Sequence, residues 1–360
     1  MIFDIEAVDT ARTARIQAKL DGKTKPQGSL GLLEALAMQL TLILGDKNLE
    51  NFDGKLVISD PINISRPVML VFAGDHGIAS ESVSIAPSEV TQLMVMNFLE
   101  GGAAINCFCR TNDIVLQVID AGILCPIERE DVLQQSLGQG TKNMVTQSAM
   151  SLDQVERGIF LGGKVVEEQI KKGSNIIAFG EMGIGNSSAA AAIQCTLMNL
   201  VAEACVGRGS GIDDKQLERK IYLINKALSF HNARVDKLES NPFEIMASFG
   251  GFEIVQIVGG MLVAAEQGKV ILVDGYIATA AAMLAIRINR NCKDYMIFCH
   301  ESGERGHQLM LRELEVLPLL KLGMRLGEGT GAALAVPLIR AAASFYNDMA
   351  SFETAGIQPV

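Results

Sequence analysis

The sequence is poor in aromatic and imidazole side chains. Its 360 residues include no tryptophan, four tyrosines and four histidines. The seven cysteines are an odd number, form no CxxC pair and lie mostly among apolar residues. Structural zinc sites usually contain closely spaced cysteines, and disulfide frameworks usually contain an even number of them. We therefore expect reduced thiols in the protein core.

Basic residues are in deficit. The chain has 31 Lys and Arg against 41 Asp and Glu, a formal net charge of −10 at pH 7. A protein that wraps the phosphate backbone of nucleic acid needs the opposite sign. The charge balance predicts no nucleic-acid partner.

Long apolar runs are also missing. Glu253 and Asp274 interrupt the two most apolar stretches, which leaves neither with the roughly 18 uncharged residues of a spanning helix. The first residues, MIFDIEAVDTARTA, carry acidic side chains where a secretory signal needs basic ones. We expect no membrane association and a cytoplasmic location.

Glycine is abundant, with 35 residues, and several glycine-rich polar loops follow short apolar runs. Continuous apolar runs of this length are typical of strands buried on both faces of a parallel sheet. Helix-like, alanine-rich sequence follows several of them, which predicts an α/β fold with ligands bound beyond the carboxyl ends of the strands. The runs with their loops are 67–77, 113–122, 175–185, 269–276 and 294–303.

Helical patterns outside these runs occur near both ends of the chain. They lie near 5–20, at 29–45 between a possible Ser29 N-cap and Gly45, and near 331–348. We expect residues 1–60 and 336–360 to form a small helical subdomain beside a large α/β catalytic domain at 61–335. Residues 46–66, which have mixed polarity, are the expected linker.

The loop Gly180–Ser188, GEMGIGNSS, joins a predicted strand to a predicted helix. Its glycines allow close approach of the backbone to a ligand, and the helix N-terminus offers free N–H groups to an anion. The loop could hold a phosphate. It matches no standard phosphate-loop motif, and a tight strand-to-helix turn would look similar.

Two further glycine clusters stand before helical patterns. Residues 206–211 precede Lys220, and residues 327–331 contain Glu328 between two glycines. A carboxylate in such a turn is a candidate general base. The alternative is a glutamate that interacts with the N-terminus of the following helix.

The histidines allow a metal site. Asp75 and His76 follow one predicted strand, and His300, Glu304 and His307 follow another. The spacing matches no HExxH pattern, and histidines that hold loops by hydrogen bonds are the alternative. The roles of these residues stay open at this stage.

Ten blocks, taken in order along the chain, resemble the nicotinate-nucleotide:dimethylbenzimidazole phosphoribosyltransferase family. They include FAGDHGIA, GEMGIGNSS and LGEGTGAALA, and they extend from near residue 25 to near residue 335. The blocks are 25–34, 72–79, 83–94, 97–106, 180–188, 206–214, 248–260, 273–282, 300–307 and 326–335.

The resemblance implies transfer of a 5-phosphoribosyl group from nicotinate mononucleotide to 5,6-dimethylbenzimidazole in the assembly of the lower ligand of cobalamin. It also implies a Rossmann-like large domain, a small helical domain and a homodimer whose second chain helps to close the site. The reaction releases no pyrophosphate, so charge does not demand Mg²⁺. We expect no metal and no cofactor.

The resemblance also assigns roles to residues. Glu328 takes the place of the family's catalytic glutamate, and Glu181 that of a second carboxylate near the ribose. Ser84 and Gln92 fall in the block that lines the base pocket. The residues expected to bind phosphate and ribose are Gly183, Gly185, Asn186, Ser187, Lys220, Ser302, Gly329 and Gly331.

The chain departs from the family pattern in the base block, where Ser82 replaces a glycine and Ala86 an aromatic residue. Three other functions stay open. The first is transfer to a different acceptor, such as adenine or a phenol. The second is nucleotide binding without catalysis, which the presence of Glu328 and Lys220 opposes. The third is a metal hydrolase built on the histidines.

Overall fold

A six-stranded parallel sheet lies at the centre of the computed structural model, which describes residues 2–45, 50–52, 55–57, 60–209 and 211–358. The strands are β3 (Val68–Gly74), β4 (Val115–Gly122), β5 (Val132–Gln134), β6 (Ile176–Met182), β7 (Val270–Val273) and β8 (Met296–Phe298). Their order is β5-β4-β3-β6-β7-β8, and every pair of neighbours is parallel. This is the strand order of Rossmann-type dinucleotide-binding proteins, so the expected Rossmann-like sheet is confirmed.

The central strands are buried along most of their length because helices cover both faces of the sheet. All seven residues of β3 and all four of β7 are buried, as the continuous apolar runs predicted. The longer helices are α1 (Thr13–Asp21), α2 (Leu32–Leu44), α3 (Glu89–Leu99), α4 (Ala104–Thr111), α5 (Leu152–Lys171), α6 (Asn186–Met198), α8 (Asp214–Asn232), α9 (Pro242–Phe249), α10 (Phe252–Glu266), α11 (Tyr276–Ile288) and α13 (Thr330–Asp348). Shorter helices are α7 (Ala202–Cys205), α12 (His307–Glu313) and α14 (Phe352–Ala355).

Five predicted strands are confirmed, and three short ones were not predicted. The edge strand β5 has only three residues and one fully buried side chain, so it carries almost no apolar signal. The other two, β1 (Glu50–Phe52) and β2 (Lys55–Val57), form an antiparallel hairpin inside the expected linker. Parts of that linker, residues 46–49, 53–54 and 58–59, lie outside the described residues.

The two ends of the chain meet. The backbone N–H of Thr24 donates to the carbonyl of Ala350 at 3.0 Å, and that of Phe352 to the carbonyl of Gly22 at 2.9 Å. Helices α1 and α2 pack on each other, and α2 also packs on α13. The division into two domains stays a prediction, and α13 runs through its boundary at 335–336.

The expected helix at 29–45 begins later than its N-cap suggested. Residues 28–31 form a turn, α2 begins at Leu32, and Gly31 rather than Ser29 precedes it. The predicted end at Gly45 is confirmed. The pattern near 5–20 forms α1 and a short 3-10 helix, Thr10–Arg12, but residues 2–9 are not helical.

All seven cysteines are free thiols in the described part of the chain. Five are buried, as expected, but Cys107 and Cys125 are exposed. Within the described ranges, no helix has the length and apolar character needed to span a bilayer.

Candidate active site

A cavity of about 520 Å³ opens beyond the carboxyl ends of the central strands. Its wall includes Glu181 at the end of β6, Asp274 just after β7 and His300 just after β8. The strand order reverses between β3 and β6, which places the cavity beside the switch point where open parallel sheets bind their ligands. Three of the five strand-end loops predicted from the sequence, those in 175–185, 269–276 and 294–303, therefore contribute to its wall.

One end of the cavity is acidic. Glu328, in the turn before α13, has a positive φ of 62° and is only 4% exposed. Its backbone N–H donates to the carbonyl of Glu181 at 3.2 Å, and its Oε2 accepts from the N–H of Ile105 at 3.4 Å. Burial raises the pKa of the Glu328 carboxyl. A carboxylate with a raised pKa, facing a cavity, is suited to accept a proton.

The contact with Ile105 bears on the alternative interpretation of Glu328. Ile105 lies in the first turn of α4, so the glutamate does interact with a helix N-terminus. That helix is not α13, which directly follows Glu328 in the chain. The glutamate therefore joins the α4 segment to the turn before α13, and its cavity-facing position is retained.

Two glycines allow the turn that carries Glu328 to pack against the end of β6. A side chain on Gly180 of β6 would collide with the backbone of Glu328 and Gly329. Gly327 has a φ of +85°, and a side chain there would collide with the carboxylate of Glu181. Larger residues at either position would separate the turn from the strand.

The second carboxylate, Glu181, is buried beside other acids. Burial and then the charges of Glu253, Asp274 and Glu328 raise its pKa to about 8. The side-chain amide of Asn186 donates to its Oε2, which opposes the shift. Glu181 therefore holds a proton at neutral pH in the free protein.

Asp274 completes this end. Its Oδ1 accepts from the N–H of Ala332 at 2.8 Å, and His300 Nε2 lies 3.8 Å away. Burial raises the pKa of the Asp274 carboxyl, and the charge of His300 opposes that rise. Asp274 thus fixes the first turn of α13 next to Glu328.

The other end of the cavity is suited to an anion. α6 begins at Asn186 after Gly185, which has a φ of 99°, and its first turn lines the cavity, so the positive end of the helix dipole favours an anion there. The N–H groups of Asn186 and Ser188 donate to the carbonyls of Gly183 and Gly185 at 3.2 and 2.9 Å. Lys220 from α8 is only 1% exposed and donates from Nζ to Ser187 Oγ at 2.9 Å. Burial lowers the pKa of this lysine to about 8, against a smaller opposing effect of Glu304. The lysine is therefore still mostly protonated at pH 7, and an incoming phosphate would stabilise its charge.

A largely apolar wall joins the two ends. It is formed by Val83 and Met94, which come from the segment after β3, and by Met182 and Leu326. Ser84 contributes a hydroxyl to the same wall. Such a wall fits a flat, mostly apolar ring.

A family model described as phosphoribosyltransferase matches residues 5–357. A curated relative from Photobacterium profundum, named nicotinate-nucleotide–dimethylbenzimidazole phosphoribosyltransferase, is 54% identical over 357 residues, which is 99% of each chain. A relative of the same name from Shewanella oneidensis is 53% identical over 359 residues and covers 99% of this chain and 98% of the relative. The chain belongs to the nicotinate-nucleotide–dimethylbenzimidazole phosphoribosyltransferase family.

Solved structures agree with this family assignment. The crystal structure of CobT from Thermus thermophilus matches with a TM-score of 0.88 at 37% identity and covers 97% of this chain and 99% of that chain. A second crystal structure from the same organism, titled with the phosphoribosyltransferase name, has a TM-score of 0.87 at 36% identity and covers 98% of this chain and 100% of that chain. The resemblance stated from the ten sequence blocks is confirmed.

Most residues that the family resemblance assigned to the site lie in the cavity wall. These are Ser84, Glu181, Gly183, Gly185, Asn186, Ser187, Lys220, Ser302 and Glu328. Their individual roles stay predictions. Ser210, in the second glycine cluster, lies outside the described residues.

Three assigned residues are not part of the wall as the described residues form it. Gly329 and Gly331 lie behind it, where side chains would collide with Met69 and His300 respectively. Gln92 lies on α3, half-buried, two residues before Met94. The two glycines therefore allow close packing behind Glu328, and a ligand contact of Gln92 stays a prediction.

Several members of the wall were not singled out as site residues from the sequence. Asp274, Tyr276 and Arg325 belong to it, and so do His300 and Glu304, which entered only as possible metal ligands. Asp274 carried a usable signal, because it directly follows a buried strand at the edge where ligands bind. Arg325 is exposed and bonded to the carbonyl of Gly209 at 2.8 Å, a contact between distant segments that sequence spacing cannot indicate.

The histidines make separate contacts rather than one metal centre. His76 Nε2 lies 2.6 Å from Glu253 Oε1, and His307 Nδ1 accepts from the N–H of Ser302 at 2.8 Å. Burial, and then His300, lower the pKa of His307 to about 3. Among the described residues, no three His, Cys, Asp or Glu side chains are arranged to hold a metal. The histidines hold loops, which was the alternative to a metal site.

Proposed function

We propose that the protein transfers the 5-phosphoribosyl group of nicotinate mononucleotide to 5,6-dimethylbenzimidazole, giving α-ribazole 5'-phosphate and nicotinate. The observation that carries the proposal is the division of one cavity into an anion end with Lys220 and an acidic end with Glu181 and Glu328. The names of the full-length relatives support these two substrates. The reaction would serve nucleotide loop assembly in cobalamin biosynthesis.

The phosphate of the donor would lie at the N-terminus of α6. There the Ser187 hydroxyl and the Lys220 ammonium can donate to it, and the positive end of the α6 dipole favours its charge. Fixing the phosphate fixes the ribose, which would lie along the cavity toward Glu181. The two rings would then lie on opposite faces of the sugar.

Glu328 would act as the general base. The ring nitrogen of the acceptor attacks C1' of the ribose while the bond to the nicotinate nitrogen breaks and its electron pair neutralises the pyridinium. The attack makes the N–H on the other ring nitrogen of the benzimidazole acidic, and Glu328 takes that proton. Its raised pKa favours this transfer, because a base with a pKa closer to neutrality accepts the proton more readily. Attack opposite the leaving group converts a β donor into an α product.

Glu181 would hydrogen-bond the ribose. Two roles fit its position, which are stabilisation of positive charge on the sugar and hydrogen bonding to ribose hydroxyls. Burial and the neighbouring carboxylates raise the pKa of Glu181 to about 8, which favours the neutral form before the donor binds and, with it, the second role. A neutral carboxyl can donate and accept at once, as a hydroxyl pair requires.

We further propose a cytoplasmic homodimer. Ile85 and Leu93 are 59% and 63% exposed and flank the wall residues Ser84 and Met94 in the chain, so a second copy could cover them at the cavity mouth. The apolar face of α2 does not provide this surface, because it packs on α13 within the same chain. Light scattering should give twice the mass of one chain at micromolar concentration, and Leu93→Glu should shift the protein toward monomer.

The substrate assignment is tested with a panel of acceptors. Purified protein, nicotinate mononucleotide and equal concentrations of 5,6-dimethylbenzimidazole, adenine or a phenol are incubated, and products are resolved by chromatography. We expect kcat/KM to be highest for dimethylbenzimidazole. A higher value for adenine or a phenol would assign the enzyme to another acceptor, and no nicotinate release with any base would overturn the proposed reaction.

A further inference from the structure

Thr91 is a fully buried threonine of α3 that the proposed reaction does not use. Its Oγ1 accepts from the N–H of Ile184 at 3.1 Å and donates to Asp75 Oδ1 at 2.6 Å. The other oxygen of Asp75 accepts from the N–H of Leu124 at 2.8 Å. One hydroxyl and one carboxylate therefore connect the segments that follow β3, β4 and β6.

The residue held by this contact lies in the middle of the anion end. Ile184 stands between Gly183 and Gly185, in the turn that leads into the first turn of α6. The N–H of Ile184 donates to Thr91. This hydrogen bond sets the orientation of the peptide between Gly183 and Ile184, and that orientation determines where the neighbouring N–H groups point. A glycine-flanked turn has few side-chain contacts of its own to define that orientation.

The same helix face reaches the apolar wall. Met94 lies three residues after Thr91 on α3 and lines the cavity, as does Ser84 just before the helix. Residues three apart in a helix share a face. α3 thus contacts the turn 183–187 through Thr91, and it contributes Met94 to the apolar wall of the cavity.

We propose that Thr91 is a positioning residue that, held by Asp75, fixes the turn 183–187 relative to the wall that receives the base. This proposal rests on the proposed function for the identity of the ligands. Reacting groups must be held within a fraction of an ångström, and a misplacement of about 1 Å can cost about a hundredfold in rate.

The decisive variant is Thr91→Val, which keeps the shape of the side chain and removes both hydrogen bonds. With its acceptor gone, the Ile184 peptide can tilt. We expect the Kd for nicotinate mononucleotide alone, measured by calorimetry, to rise about tenfold. Turnover should fall by about tenfold or more, while the KM for dimethylbenzimidazole should change by less than about threefold.

Two controls separate positioning from packing. Thr91→Ser removes a buried methyl group but keeps the hydroxyl, so it should lower Tm while retaining most of the binding and turnover. Thr41→Val makes the matched change in α2, where the Thr41 hydroxyl donates to the carbonyl of Ala37 at 2.7 Å. It should leave the kinetics unchanged. If Thr91→Val does not fold, Thr91→Cys, a weaker acceptor, replaces it in the comparison with Thr91→Ser.

Hydrogen exchange provides a readout that does not depend on the reaction. Amides of the 180–188 segment should exchange faster in Thr91→Val than in wild type or Thr91→Ser, with no change in β7. Unchanged exchange in that segment, or loss of activity that follows Tm across the variants, would overturn the proposal. If the acceptor panel assigns another base, the exchange result still stands, so failure of the two proposals can be told apart.

Discussion

The two ends of the cavity are built in opposite ways. The anion end consists of the N-terminus of α6 and one buried lysine whose pKa is lowered to about 8. The acidic end consists of carboxyls that come from two strand ends and one turn, and their pKa values are raised. Burial therefore shifts both ends toward their neutral forms.

This comparison indicates how the site can hold a zwitterionic donor. Raised carboxyl pKa values reduce the negative charge of the acidic end in the free protein, whereas Lys220, with a pKa of about 8, stays mostly protonated at pH 7. The phosphate would stabilise the charge of Lys220, and the cationic ring would favour an ionised Glu328. The charges of the ligand thus balance the charges of the cavity. A substitution at one end should therefore leave the other end intact.

The largest effect is expected at the acidic end, from Glu328→Gln. The variant keeps the shape and the hydrogen bond to Ile105 but cannot take a proton, so kcat should fall by about 10²–10⁴ with little change in substrate binding. Activity of the wild type should fall as pH decreases through the pKa of this carboxyl, because the protonated form is no longer a base. That acidic limb should be absent from the residual activity of the variant.

Glu181→Gln serves as the comparison for this experiment, because it changes a second carboxyl of the same end. It should lower activity but leave the acidic limb in place. A Glu328→Gln protein with near-normal turnover and an unchanged limb would remove Glu328 from the role of base, and Glu181 would be the next candidate.

At the anion end, Lys220→Ala should weaken nicotinate mononucleotide far more than dimethylbenzimidazole. A hydrogen bond to a charged group contributes about 1.5–3 kcal/mol, so the Kd for the nucleotide should rise about 10- to 150-fold. The Ser187 hydroxyl and the dipole of α6 would still favour the phosphate. Calorimetry with each substrate measures the difference, and equal weakening of both would show that Lys220 does not face the phosphate.

The smallest effect concerns pH. Because the pKa of Lys220 in the free protein is about 8, the lysine loses its proton between pH 7 and pH 9, and the Kd for the nucleotide should rise up to about tenfold across that range. Lys220→Arg stays protonated and should remove most of that rise. The rise that remains in Lys220→Arg measures the new negative charge on Glu181. Identical profiles for the two proteins would assign the whole pH dependence to the acidic end.

The sequence predicted the sheet well and the site in part, for physical reasons. Strands buried on both faces are continuous apolar runs, so β3 and β6 could be located, whereas the three-residue edge strand β5 could not. Glu181 and Glu328 were found because they stand in glycine-rich turns that also match the family. Ser82 has a positive φ of 59°, a backbone conformation that glycine adopts more readily, which fits the glycine that the family resemblance implies at that position.

Contacts between distant segments could not be predicted from the sequence. The bond between Ile105 and Glu328 joins residues 223 positions apart, and that between Thr91 and Ile184 joins residues 93 apart. No local spacing of residues predicts either contact. The pKa shifts depend on the same packing, because burial is their largest cause, and so they could not be assigned from the sequence either.

Helix α13 carries a consequence for how the protein acquires activity. It starts beside Glu328 and packs on α2, which lies about 300 positions earlier in the chain. During synthesis, the strands up to β7 can pair before this helix exists, whereas Glu328 cannot reach its position beside Glu181 and Ile105 until this late segment of the chain docks. Contacts of such sequence separation close slowly. Refolding should therefore recover native-like secondary structure before enzymatic turnover, with catalysis as the last property to return.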